Sequence, residues 1–143
     1  MSTAARYRRV VRPLTLLAVL VLGLAACGGS GAPKDGLKIK FGRLGGLIVP
    51  YAITIAPDGK VTAAGNPPVK PPTSLTSAQV EKLSGLVRAG LGKLKSLQCA
   101  HAFPDEATYF ITALGKTVSV HGTCKPDFTK LLDALTNELG LNQ

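Results

Sequence analysis

The segment ATYFITALGKTVSVHG, residues 107–122, decides the fold class. It holds two runs, Ala107 to Leu114 and Thr117 to Gly122, in which alternate residues are apolar, the period of a half-buried strand. Gly115-Lys116 between them suits the two-residue connection of a tight hairpin. Tyr109, Ile111, Val118 and Val120 then share one face and should point into a core.

Amphipathic helices flank this hairpin on both sides. Downstream, Pro126 fits the first turn of a helix, Phe128, Leu131, Leu132, Leu135 and Leu139 give it a buried stripe, and Gly140 is its C-terminal stop. Upstream, Thr76 and Gln79 form a capping box, with Leu75 and Val80 at the hydrophobic-staple positions. Val80, Leu83, Val87, Leu91 and Leu94 follow at three- and four-residue steps. Gly85, Gly90 and Gly92 each cost a helix about 1 kcal/mol relative to alanine, so the spacing predicts an end near Gly90 or close packing against the sheet.

Further upstream, Leu37, Ile39 and Phe41 alternate with Lys38, Lys40 and Gly42, which predicts a first strand. A glycine turn at Gly45-Gly46 follows. The apolar run Leu47 to Ala56 predicts a second strand with Tyr51, Ile53 and Ile55 on one face and Pro50 marking an edge or bulge. Pro57-Asp58-Gly59 turns the chain into a third strand, Lys60 to Ala64. Pro67, Pro68, Pro71 and Pro72 make the crossover to the helix extended. The expected fold is α+β: a small antiparallel sheet of four or five strands with two helices on one face, in the order βββαββα.

The first residues belong to none of this. Arg6, Arg8, Arg9 and Arg12 precede an apolar run from Leu14 to Leu22 and then small residues, the layout of an export signal. A span of about 30 Å needs about 20 apolar residues, more than the run offers. Leu24-Ala25-Ala26-Cys27 resembles the lipobox of bacterial lipoproteins at every position. The resemblance implies a diacylglyceryl group on the Cys27 sulfur, cleavage before Cys27, and attachment to the outer face of the cell membrane. More than one acyl chain makes such a tether durable. The alternative is an ordinary secretory signal with a chance cysteine; adjacent Arg8 and Arg9 also raise twin-arginine export. Residues 1–26 are thus expected to be a signal peptide, residues 27–36 a lipidated cysteine with a flexible Gly-Ser-Pro linker, and residues 37–143 a single domain. Nine linker residues have a random-coil span of about 16 Å.

Charge and cysteine use then narrow the function classes. The chain of 143 residues carries a formal charge of +9, of which the leader's four arginines account for almost half. The lysines that remain are scattered, and few aromatics interleave with them, so nucleic acid is not the expected partner. A basic surface beside anionic lipid or wall polymer is. With Cys27 assigned to lipid, Cys99 and Cys124 are left in a disulfide-permissive compartment, one on each side of the hairpin, and are expected to pair. The competing reading is structural zinc held by Cys99, His101, His121 and Cys124, although His121 alternates onto the strand face away from Val118 and Val120.

Catalytic templates are missing: there is no phosphate-binding glycine loop, no His-Glu-x-x-His, and no base spaced to activate Ser84, Ser96 or Ser119. Asp105 and Glu106 are adjacent, which splays them apart in an extended loop. No enzyme activity and no cofactor are expected, and the sequence sets no oligomeric state.

The segment Lys40 to Leu47, KFGRLGGL, contains a Phe-x-Arg-x-Gly-Gly motif ahead of a strand, a helix, a hairpin with Tyr109 and a closing helix. In this it resembles the emfourin-type inhibitors of thermolysin-like metalloproteases, which implies a tethered protease inhibitor. A tight turn with positive φ also explains Gly45 and Gly46. Arg43, Leu44, Gly45 and Gly46 are the candidate interaction loop. The reading that residues support directly is a lipid-anchored binding module for a cell-envelope protein or wall component.

Overall fold

The computed structural model describes residues 35–141, and within them the chain order is β1 (Ile39–Leu44), β2 (Tyr51–Ile55), β3 (Val61–Gly65), α1 (Ser77–Leu91), β4 (Leu97–Gln98), β5 (Thr108–Ala113), β6 (Lys116–His121) and α2 (Pro126–Glu138). The expected leader, the lipid acceptor Cys27 and most of the linker lie outside the described residues. The sheet has six strands in the order β3-β2-β1-β5-β6-β4, antiparallel except for β4 beside β6. The α+β class and the two helices are as expected from sequence. The strand count of four or five and the order βββαββα are corrected to six and βββαβββα, because β4 is two residues long and its parallel pairing to β6 has no periodic signal.

Alternation sorts each strand into two faces. Ile39, Phe41, Ile53, Ile55, Ile111, Val118 and Val120 lie on one face, nearly or fully buried with Val80, Leu83, Val87 and Leu91 of α1 and Phe128, Leu131 and Leu135 of α2. Full burial of such side chains stabilises by about 1.5–3 kcal/mol each. The other face is mostly small and polar, with Thr112 and Thr117 hydroxyls 2.9 Å apart. Phe110 is the exception: it is buried on that face although no helix covers it. It stands opposite Gly42 in the β1–β5 register, and Lys40 Nζ lies 6.0 Å from its ring centre. Gly42 keeps that neighbourhood open, since an added Cβ would collide with the Tyr51 carbonyl across the strand pair.

Hydrogen bonds account for three of the four helix ends, and α2 starts on Pro126 without a side-chain cap. Thr76 Oγ1 accepts from the Gln79 backbone N–H, and the Gln79 side chain accepts from the Thr76 N–H, the reciprocal capping box. The C-terminal carbonyls of α1 are met by Lys116 of β6, whose Nζ donates to Leu94 O at 2.6 Å and to Leu91 O and Gly92 O at 3.3 Å. A cation at a helix C-terminus also offsets the negative end of its dipole. α2 ends in a Schellman turn, with Gly140 at φ +66° and Leu141 N–H bonded to Thr136 O. Among the α1 glycines, Gly90 has a packing reason, but its neighbour is Leu131 of α2 rather than the sheet; Gly85 and Gly92 face open space.

The hairpin turn is displaced by one residue from the sequence expectation. Lys116 pairs with Ala113, so the two connecting residues are Leu114 and Gly115, with φ of 56° and 70°. Two positive φ values fit the twist of the strands, but Leu114 has a Cβ, and the left-handed region costs such a residue roughly 1–2 kcal/mol.

Register gives the sheet two distinct ends. Leu37, the β2–β3 turn at Pro57–Gly59 and the Leu114–Gly115 turn lie at one end, where the chain enters. The entry is pinned to α1: Leu37 N–H donates to the buried Ser84 Oγ at 3.0 Å, and Arg88 donates to the Asp35 carbonyl at 2.7 Å. At the opposite end lie the β1–β2 loop, the segment before β5 and the turn into α2. There Cys99 and Cys124 form a disulfide, with Cα atoms 5.7 Å apart, that ties the end of β4 to the start of α2.

The bridge spans 25 residues, a closure that the loop-entropy estimate makes worth about 3.5 kcal/mol. The Cys99→Ser/Cys124→Ser double variant should therefore unfold with a loss of about 2–4 kcal/mol in denaturant titration. Reductant should move the parent chain toward the variant and leave the variant unchanged.

Candidate functional site

β1 runs out of the covered sheet at Arg43 and Leu44, and the side chains there decide what the loop end can do. Arg43 lies on the helix side of the sheet, in register between Tyr51 and Tyr109. Its guanidinium lies 5.1 Å from the Tyr51 ring centre, and its Nε donates to Val49 O at 3.0 Å. The arginine thus braces the far arm of the β1–β2 loop from below. Burial raises the Tyr51 hydroxyl above its ordinary pKa; the charge of Arg43 works in the opposite direction, and Tyr109 adds slightly to the rise.

The loop itself is held at several points. Leu47 N–H donates to Asp105 O at 3.0 Å, and Asn66 N–H to Pro50 O at 3.3 Å. Gly46, at φ +73°, makes the first of these contacts feasible, since a Cβ there would strike the Asp105 carbonyl. Between the anchors the chain exposes consecutive aliphatic residues: Leu47 is 86% exposed, Ile48 41% and Val49 53%. Leu44, 53% exposed, precedes them.

The segment from Cys99 to Ala107 brings a second apolar element to the same place. Phe103 is 68% exposed, a large area for a phenyl ring. Its backbone is fixed by Glu106 N–H on Phe103 O and by His121 Nε2, also 3.0 Å from that carbonyl. Because a carbonyl can only accept, Nε2 carries the hydrogen, and Nδ1 receives the Thr108 hydroxyl at 3.0 Å. Between Leu47, Ile48, Phe103 and Tyr109 lies a cleft of about 430 Å³, edged by Asp105 and Glu106. A neighbouring groove of about 480 Å³ runs along the disulfide past His101, with no convergent set of acids, bases or nucleophiles.

The four residues of the zinc alternative are not gathered around one point. Cys99 and Cys124 have spent their sulfurs on each other, and both nitrogens of His121 are engaged on the opposite face of the sheet. Among the described residues no group of three His, Cys, Asp or Glu is placed to hold a metal. The serines considered as nucleophiles have structural duties: Ser84 accepts from Leu37, and Ser96 accepts from the Ser119 backbone N–H.

Of the four candidate loop residues, Arg43 and the two glycines build the surface and Leu44 belongs to it. Leu47, Ile48 and Val49, read as strand from their apolar run, turn out to be its exposed body. Gly-Gly before three successive aliphatics and Pro50 after them was the available signal, since such a run has no alternation. Phe103 had no signal beyond its place in the loop after Cys99. Comparison of the chain with protein-family models, curated proteins and solved structures returned no match.

Replacing Arg43 with alanine should speed amide hydrogen exchange across Gly45–Val49 while leaving the α1 and β5 amides protected, and equal protection of the loop in both chains would refute the bracing role. The Tyr51 shift sets a pH signature as well. A hydroxyl with a raised folded pKa contributes stability that is intact below its unfolded value of 10.0 and is lost as pH rises through the folded value. Unfolding midpoints should fall above that pH, and Tyr51→Phe should remove part of the fall.

Proposed function

We propose that this protein is a lipid-anchored, extracytoplasmic binding module without catalytic activity, and that it engages a protein partner through Leu44, Leu47, Ile48, Val49 and Phe103. The observation that carries the reading is the placement of these side chains: all are exposed at the loop end, and Leu47, Ile48 and Phe103 line one cleft whose backbone is held by hydrogen bonds. Apolar side chains exposed together in this way mark interaction sites. Their rigidity matters too, because a surface ordered in advance loses less entropy on binding. The lipobox-like Leu24-Ala25-Ala26-Cys27 supports the anchor, and no helix among the described residues is long and apolar enough to cross a membrane. The chain enters the domain at the end opposite the loops, so a short linker from Cys27 would hold the apolar surface away from the bilayer. That polarity favours a protein over lipid as its occupant.

A second reading shares the same surface. The Gly45–Pro50 loop is a narrow, braced, exposed aliphatic segment, the form in which an inhibitor presents itself to a protease cleft, and the likeness of KFGRLGGL to emfourin-type proteins favours a tethered inhibitor of thermolysin-like metalloproteases.

Photo-crosslinking in intact envelopes tests the first reading. A photoreactive residue at position 47 should give one discrete protein adduct that is lost when Phe103 is changed to Asp, while the same probe at Ala64 on the outer sheet face should not. Adducts with lipid alone would refute it. Thermolysin-family proteases left fully active by micromolar protein would eliminate the inhibitor reading. The anchor is tested separately by the acyl mass on Cys27 and by release of a Cys27→Ser chain from membranes.

A further inference from the structure

The entry end of the domain carries two features that the core does not require. The first is Leu114. It occupies the first position of a two-residue hairpin turn at φ 56°, where asparagine or glycine sits without strain, and it is 54% exposed. Nothing in the fold rewards an exposed leucine in that conformation, and an unfavourable backbone geometry kept at a surface position points to a use outside the domain.

The second is charge. By register, Leu114 lies level with Lys38 on β1, directly beside the point where the chain enters. Lys60 stands at the adjoining β2–β3 turn, and Lys95 follows the C-terminus of α1, which Lys116 draws against the start of β6; Lys93 instead shares a groove with Asp127 and Lys130 of α2. Arg88 holds the entering chain by the Asp35 carbonyl. All these cations except Lys116 are exposed, and none of them forms a salt bridge among the described residues, whereas Lys82 of α1 is bridged to Glu138 of α2. Asp35, Asp58 and the exposed Glu81 of α1 are carboxylates at this end, and Asp58 accepts from the Lys60 backbone N–H.

We infer that this entry end is a membrane-docking surface for anionic phospholipid, in which Leu114 enters the headgroup layer and Lys38, Lys60 and Lys95 contact the phosphates around it. The inference rests on the lipid-anchor reading in one respect: the segment that leaves the domain here leads within ten residues to Cys27, which fixes this end near the bilayer. Each basic residue close to an anionic surface adds attraction, and one inserted aliphatic side chain adds the burial of its area. Docking in this way would hold the sheet upright and turn the Gly45–Pro50 loop and Phe103 outward.

The test uses the chain from residue 27 to 143 carrying Cys27→Ser, so that no acyl group contributes, with vesicles of phosphatidylglycerol mixed into phosphatidylcholine and vesicles of phosphatidylcholine alone. The chain should bind the mixed vesicles at least tenfold more tightly, and added salt should weaken the binding. Lys38→Glu/Lys95→Glu should remove the preference. Leu114→Asn should raise the thermal midpoint and yet weaken vesicle binding about fivefold; opposite signs in the two readouts exclude a damaged fold, and Leu114→Gly serves if the asparagine chain misfolds. Equal binding to both vesicles, or parent-like binding by either class of variant, would overturn the proposal. So would stronger retention by a glycerol-phosphate polymer than by vesicles, which would place the contact in the wall. None of these outcomes alters the acyl-mass test of Cys27, so the docking surface and the anchor stand or fall apart.

Discussion

The burial of one sheet face under two helices is the interaction on which the rest of the domain depends. Ile39 and Phe41 lie on the central strand β1, wholly removed from water, between Ile53 and Ile55 on one side and Ile111 and Val118 on the other. Because α1 and α2 both lie on that side, the opposite face is left to threonine, serine and lysine. Along β1 the buried row ends after Phe41, and Arg43, level with Tyr51 and Tyr109, stands at the limit of the core. Beyond that limit the chain is free of the core's demands. Its apolar residues there are therefore informative in a way that those inside are not.

Two covalent or charged fixtures make this arrangement hold at its ends. The disulfide draws β4 against the start of α2 and so frames the segment that carries Phe103. Lys116 receives the exposed carbonyls of α1 and joins the helix layer to the hairpin. Neither fixture is needed to form the strands, yet each sets where a loop emerges. The loop surface is consequently a property of the whole domain and not of the KFGRLGGL motif by itself.

Residues with strong local chemistry were legible in the sequence. Thr76 and Gln79 announced the start of α1, Pro126 and Gly140 bounded α2, and alternation placed Ile39, Phe41, Ile53 and Val118 on the core face. Cys99 and Cys124 declared their pairing once Cys27 was set aside. What escaped depended on contacts distant in sequence. β4 is two residues bonded to β6 more than twenty positions away, and the turn lies at Leu114-Gly115 because Lys116 pairs with Ala113 across the hairpin. Phe110 is buried on the wrong face for its period because Gly42, across the register, leaves room beside it. Leu47 to Val49 looked like strand because apolar runs do not distinguish a buried strand from an exposed loop.

Strand order also decides how the domain would bear a load. A chain held at Leu37 and drawn from the Gly45–Pro50 loop is loaded along β1 itself, with β2 and β5 hydrogen-bonded on its two sides. Tension along that axis must shear many backbone bonds together, whereas tension across the sheet would open them one after another. A module gripped at these two points would therefore behave as a stiff link, its resistance coming from the antiparallel ladders that flank its central strand.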